Sequence, residues 1–169
     1  MFNYFEEKQS FSQWWVYIVP LLMLCITIFV TTQQLLMGQP VGNHPIADSN
    51  IWILWVFSLA LLWFLGSFQL ITRINKKGII IRVRPLLKRE YLWDDIEDIY
   101  VREYKPLREF GGYGIRFSKN GIAYNIKGNM GLQLLLKNGK RVLIGTQKAK
   151  ELELIVGKIK EDPLRLKDR

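Results

Sequence analysis

Between Lys8 and Asp48 the chain carries no Asp, Glu, Lys or Arg, and between Asp48 and Arg73 it again carries none. Residues 14–30 are apolar apart from Thr27, and the run continues through Thr31, Thr32, Gln33 and Gln34 to Leu35, Leu36 and Met37. Residues 51–71 interrupt their apolar character clearly only at Ser58, Ser67 and Gln69. A helix needs about 17 to 25 such residues, at about 1.5 Å each, to cross a hydrocarbon core. Neither stretch shows the polar stripe of period 3.6 that marks a core helix of a soluble protein. The pattern predicts transmembrane helices over 14–36 and 51–71. A cleavable signal sequence wants a basic leader, whereas this one reads Glu6-Glu7-Lys8. Cys25 follows Leu24, where a lipid-attachment site needs a small residue, and reads as a small hydrophobe in lipid. Pro20 is expected to kink the first span.

Orientation follows from the basic residues flanking each span. The N-terminal flank, 1–13, holds Lys8, and the 37–50 connection holds none. The twenty residues after 71 hold Arg73, Lys76, Lys77, Arg82, Arg84, Lys88 and Arg89. Both termini are expected in the cytoplasm of a cell membrane, with 37–50 as an outer loop containing Gly38, Pro40, Gly42, His44 and Pro45. Trp14, Trp15 and Tyr17 then mark the inner interface, and Trp52 and Trp55 the outer one.

After residue 71 the apolar period changes to two. Ile79, Ile81 and Val83 alternate with Ile80, Arg82 and Arg84, and the pattern stops at Pro85. Further strands are expected at 89–93, 96–104, 115–117, 122–126, 132–136 and 142–144. Asn120-Gly121 and Asn138-Gly139 mark tight hairpins between such runs. From 147 to 160, Leu152, Ile155, Val156 and Ile159 recur at helical spacing among charged residues, with Thr146 as the expected N-cap. The fold class expected is a membrane α+β protein: a two-helix hairpin, then seven antiparallel strands forming a bent sheet or split barrel over 72–160. The amphipathic helix closes it, and residues 161–169 form a charged tail.

Catalytic and metal chemistry need converging nucleophiles, bases or ligands. The single His44 falls in the outer loop and the single Cys25 in the first span. No catalytic set, cofactor or metal is expected, and no small-molecule substrate is evident. The glycines near 111–114 lack both the third fingerprint glycine and a Gly-Lys-Ser/Thr ending, so they read as bends. Asp94, Asp95, Glu97 and Asp98 read as a solvated rim, with Arg116 expected to pair with one of them. The candidate binding site is basic: Lys76, Lys77, Arg82, Arg84, Lys88 and Arg89, each contributing about 1 kcal/mol of attraction to anionic lipid if held near the inner leaflet. Positive charge just inside a membrane already has an explanation, and no base-stacking motif accompanies it, so nucleic acid is not expected as a partner.

Four segments carry a family likeness: Trp93-Asp94-Asp95-Ile96, Gly111-Gly112-Tyr113-Gly114-Ile115-Arg116, Gly128-Asn129-Met130-Gly131 and Val142-Leu143-Ile144-Gly145-Thr146. With a preceding pair of spans, the soluble part resembles the bacterial pleckstrin-homology-like membrane proteins, and among them a small two-span family. The resemblance implies a fold and a membrane location, with Trp93, Gly111, Gly112, Gly114, Arg116, Gly128, Gly131 and Gly145 as structural residues. The expected function is a non-enzymatic membrane protein whose module serves protein interaction, assembly or self-association. The alternatives are head-group sensing by the basic strand face, and an accessory subunit of a transporter or channel.

Overall fold

The computed structural model describes residues 3–161, which divide into two compact units: residues 11–68, and residues 3–10 with 69–161. The helical unit runs through a 3-10 turn, Trp14–Tyr17, into α1 (Ile18–Thr31) and a π-helical turn, Thr32–Leu36. A second 3-10 turn, Asp48–Asn50, leads into α2 (Ile51–Ser67). The two apolar segments, Trp14–Leu36 and Asp48–Ser67, are long and apolar enough to cross a membrane, and only 11% of the most apolar stretch of each is buried. A core helix would be covered instead. The helices meet on small polar side chains: Thr27 Oγ1 and Ser58 Oγ hydrogen-bond at 3.0 Å, and Trp55 Nε1 donates to Thr31 Oγ1. Pro20 lies in the first turn of α1, where proline is tolerated. The irregularity falls later, where the hydroxyls of Thr31 and Thr32 bond back to the carbonyls of Thr27 and Ile28, and Met37 N–H reaches Thr32 across five residues.

The strand unit has nine strands among the described residues, in two sheets. The first contains β1 (Asn3–Ser10), β2 (Gln69–Asn75), β3 (Gly78–Arg84) and β4 (Leu87–Leu92), in that order and antiparallel. The second contains β5 (Ile96–Glu103), β6 (Gly114–Ser118), β7 (Gly121–Asn125), β8 (Met130–Leu136) and β9 (Arg141–Gly145), ordered β5-β8-β9-β7-β6. A one-turn helix, α3 (Pro106–Phe110), precedes β6, and α4 (Ala149–Glu161) follows β9.

Several expectations change here. Among the described residues there are two sheets and nine strands in place of one sheet and seven. The N-terminal flank is a strand, because Phe5, Glu7 and Gln9 turn inward and are buried while Tyr4, Glu6 and Lys8 turn outward. Two of its three inward residues are polar, which hides the alternation from an apolar pattern. The second helix ends at Ser67, and Phe68 is extended. Leu70, Thr72 and Ile74 then pair between β1 and β3, so residues 69–71 belong to a strand. The sheet is not wholly antiparallel: β9 runs parallel to β7. Its Val142-Leu143-Ile144 run is buried on both faces and therefore takes the centre of the sheet, between β8 and β7. Thr146 does not cap the helix; its hydroxyl donates to Glu7 and accepts from Lys148 N–H, and the helix begins three residues later. Of the tail, Glu161 ends α4, and residues 162–169 lie outside the described residues.

The inner faces of the sheets and Leu152 and Val156 of α4 form the core, in which Ile74, Ile79, Ile81, Leu132 and Leu134 have no exposed surface. Each such side chain contributes about 2 kcal/mol of burial. Tyr91 of the first sheet is half-buried, and that burial, with Tyr124 of the second sheet as a neighbour, raises its phenol's pKa. At their other end β1 supplies polar links. Glu7 accepts from Thr146 Oγ1 at 2.6 Å and from Gln147 N–H at 2.7 Å, and Gln9 Nε2 donates to the Gly145 carbonyl.

Candidate functional site

The outer face of the first sheet gathers three of the six basic residues singled out in the sequence, Arg82, Arg84 and Lys88. Residues directly opposite across paired strands share a face. The register puts Lys8, Ile71, Arg82 and Lys88 in one row across all four strands, and Ser10, Gln69 and Arg84 in the row beyond it. On the other side lies a row of Glu6, Arg73, Ile80 and Glu90. Charge therefore segregates along the strands. The cationic rows adjoin Ser10 and Gln69, the residues that lead in sequence to and from the helical unit.

Within the mixed row, Arg73 Nη2 lies 3.1 Å from Glu6 Oε1, and Lys8 Nζ lies 3.5 Å from the same oxygen. The Arg73 hydrogen bond, with both positive charges, holds the Glu6 carboxyl below its usual pKa. Arg82, Arg84 and Lys88 make no ion pair among the described residues, and Arg82 and Lys88 stand directly opposite each other. Like charges so placed repel each other.

The other predicted basic residues lie elsewhere. Arg89 is opposite Ile81 and so points to the opposite face of the sheet edge. Lys76 and Lys77 occupy the β2–β3 turn, at the far end of the strands from Arg84. That turn is built by Asn75, whose Oδ1 accepts from the N–H groups of Lys77 and Gly78, and by Trp93, whose indole donates to the Asn75 carbonyl. Gly78 is required there, since a Cβ would sit 2.0 Å from the Tyr91 carbonyl oxygen. Two cations that the sequence reading left out of the cluster, Lys8 and Arg73, belong to this face. Only the pairing of β1 with β2 brings Lys8 in.

The remaining motif residues are structural. Gly111 ends α3 in the left-handed conformation, its N–H bonding to the Leu107 carbonyl and that of Gly112 to Pro106. Gly112 and Gly114 lead into β6, and the Arg116 guanidinium lies over Gly112. Arg116 Nε donates to the Tyr113 carbonyl in place of the expected carboxylate. Gly128 lies in the β7–β8 connection under the Gln147 amide. Gly131 and Gly145 are paired at the close approach of β8 to β9, where a Cβ on Gly145 would meet Asn125 at 2.9 Å. The acidic group is dispersed. Asp94 and Asp95 sit in the 3-10 turn Trp93–Asp95, Glu97 is exposed, and Asp98 bonds to Lys160 at 2.7 Å, which lowers its pKa. Among the described residues no group of three or more His, Cys, Asp or Glu is arranged to hold a metal ion.

A family model matches residues 3–159, and the chain thereby belongs to a family of unknown function, DUF6141. No curated protein matches it. No solved structure matches it either.

Proposed function

We propose that this DUF6141 member is an integral membrane protein with two spans and both termini in the cytoplasm, and that its strand unit is a non-enzymatic, pleckstrin-homology-like module for protein interaction at the membrane. One observation carries the topology: β1, which precedes the first apolar helix, pairs with β2, which follows the second, down to Ser10 opposite Gln69. A chain that leaves a sheet and returns to it crosses a bilayer an even number of times. The apolar lengths, their exposure and the seven basic residues among the twenty after 71 support the same arrangement. Two sheets followed by a C-terminal helix support the module's kinship. For interaction, β6 is an edge strand that carries an exposed Phe117 (76%), an arrangement suited to strand addition.

Single cysteines in a Cys25→Ser background test the topology. An impermeant maleimide applied to intact cells should label Asn43→Cys, and should label Asn138→Cys only after permeabilisation. Equal labelling of both from outside would overturn the reading. A photo-cross-linking residue at Phe117 should yield one discrete adduct in native membranes; recovery of monomer alone counts against the interaction role.

A further inference from the structure

The turn from β3 to β4 reads Arg84-Pro85-Leu86-Leu87-Lys88. Leu86 is 52% exposed at its tip, beside an exposed Pro85 and between exposed Arg84 and Lys88. Arg82 stands opposite Lys88 one step back along the strands. No Asp or Glu occurs between Asp48 and Glu90, so the tip carries positive charge around an apolar point. Arg84 is paired with Gln69, two residues beyond the end of α2. Extended chain covers about 3.3 Å per residue, so Gln69 can be no more than about 7 Å from that helix end.

We propose that the Pro85-Leu86 tip inserts into the interfacial layer of an anionic leaflet, with Leu86 at the ends of the acyl chains and Arg82, Arg84 and Lys88 on lipid phosphates. The proposal rests on the two-span reading, which brings the end of α2 to a membrane surface. A free phosphate would satisfy the cations and leave Leu86 in water. A bilayer surface offers anions and hydrocarbon a few ångströms apart, which is the pairing this tip presents. Lipid phosphate also relieves the unneutralised Arg82 and Lys88 pair.

The full chain in nanodiscs tests this, with an environment-sensitive fluorophore on Leu86→Cys, Asn138→Cys or Leu59→Cys, each in the Cys25→Ser background. In discs containing phosphatidylglycerol the Leu86 probe should shift to the blue and be quenched by nitroxide-bearing lipid, and the Asn138 probe should be quenched by aqueous iodide. Discs of phosphatidylcholine alone, high salt, or the R82A, R84A and K88A changes together should reverse the Leu86 shift. Inorganic phosphate should compete no better than chloride at equal ionic strength. A Leu86 probe as open to iodide as the Asn138 probe, with Leu59 still quenched from the lipid, overturns the tip alone. Loss of lipid quenching at Leu59 overturns the two-span reading and this inference with it.

Discussion

The first sheet buries one face and leaves most of the other to water and charge, whereas the central strands of the second sheet are covered on both. In β3 the buried Ile79, Ile81 and Val83 alternate with Ile80, Arg82 and Arg84, which keep contact with solvent. In β8 and β9 the runs Leu132-Gln133-Leu134 and Val142-Leu143-Ile144 are buried throughout. α4 packs on β5 and β8, and Tyr104 and Phe110, from the β5–α3 segment, pack with Ala123 and Leu143. A face that must meet water admits cations and can hold a binding surface. A strand with no free face admits polar groups only when they are paired, as Gln133 is: it accepts from Arg102 and donates to the Leu134 and Val142 carbonyls.

If the second sheet is the stability centre, Leu134→Ala should cost about 3 kcal/mol, while Arg82→Ala on the first sheet's open face should stay within about 0.5 kcal/mol. Urea unfolding of the detergent-solubilised chain, followed by circular dichroism, reads both, and equal losses would break the contrast. The link between the sheets comes next. Glu7→Ala removes the acceptor of the buried Thr146 hydroxyl and of Gln147 N–H and should cost about 2 kcal/mol in the same assay. A neutral result would mean that β1 adds little to the fold. Tyr104→Phe deletes the hydroxyl that accepts from Asn125 Nδ2 at 3.1 Å and should cost about 1 kcal/mol.

A further small effect is electrostatic. Hydrogen bonds from Arg102 and Lys160 lower the pKa values of Glu109 and Asp98 from ordinary values of 4.5 and 3.8. The folded chain then binds these protons less readily than the unfolded chain. Their contribution is complete above the ordinary carboxylate range and declines as pH falls below it, through the depressed folded values. Both pairs are partly exposed, so each should contribute less than about 1 kcal/mol. Midpoints of unfolding measured from neutral to acid pH should converge for wild type and Glu109→Gln; a gap that widens toward acid would reverse the sign.

Much of the architecture was legible because its signals are local. Charge-free length marks the apolar helices, alternation marks β3, Asn-Gly marks the β6–β7 and β8–β9 turns, and the spacing of Leu152, Ile155 and Val156 marks α4. β1 was not legible, because its inward Glu7 and Gln9 make sense only against Thr146, Gln147 and Gly145, more than 130 residues away. Of the candidate site, Arg82, Arg84 and Lys88 could be read from β3 and its turn. Lys8 needed the β1–β2 register, and Arg89 was misjudged because which face it takes depends on the register of β4.

The chain's own order of residues determined where its apolar helices lie, that basic residues crowd the segment after them, and which runs become strands, since each depends on neighbours within a few positions. Tertiary structure alone decided that the N-terminal strand completes the first sheet, that β9 enters the second sheet parallel to β7, and which cations share a face. Those outcomes depend on pairing between residues far apart in sequence. Such pairing is chosen by the burial and hydrogen bonding of the whole sheet, which no local pattern encodes.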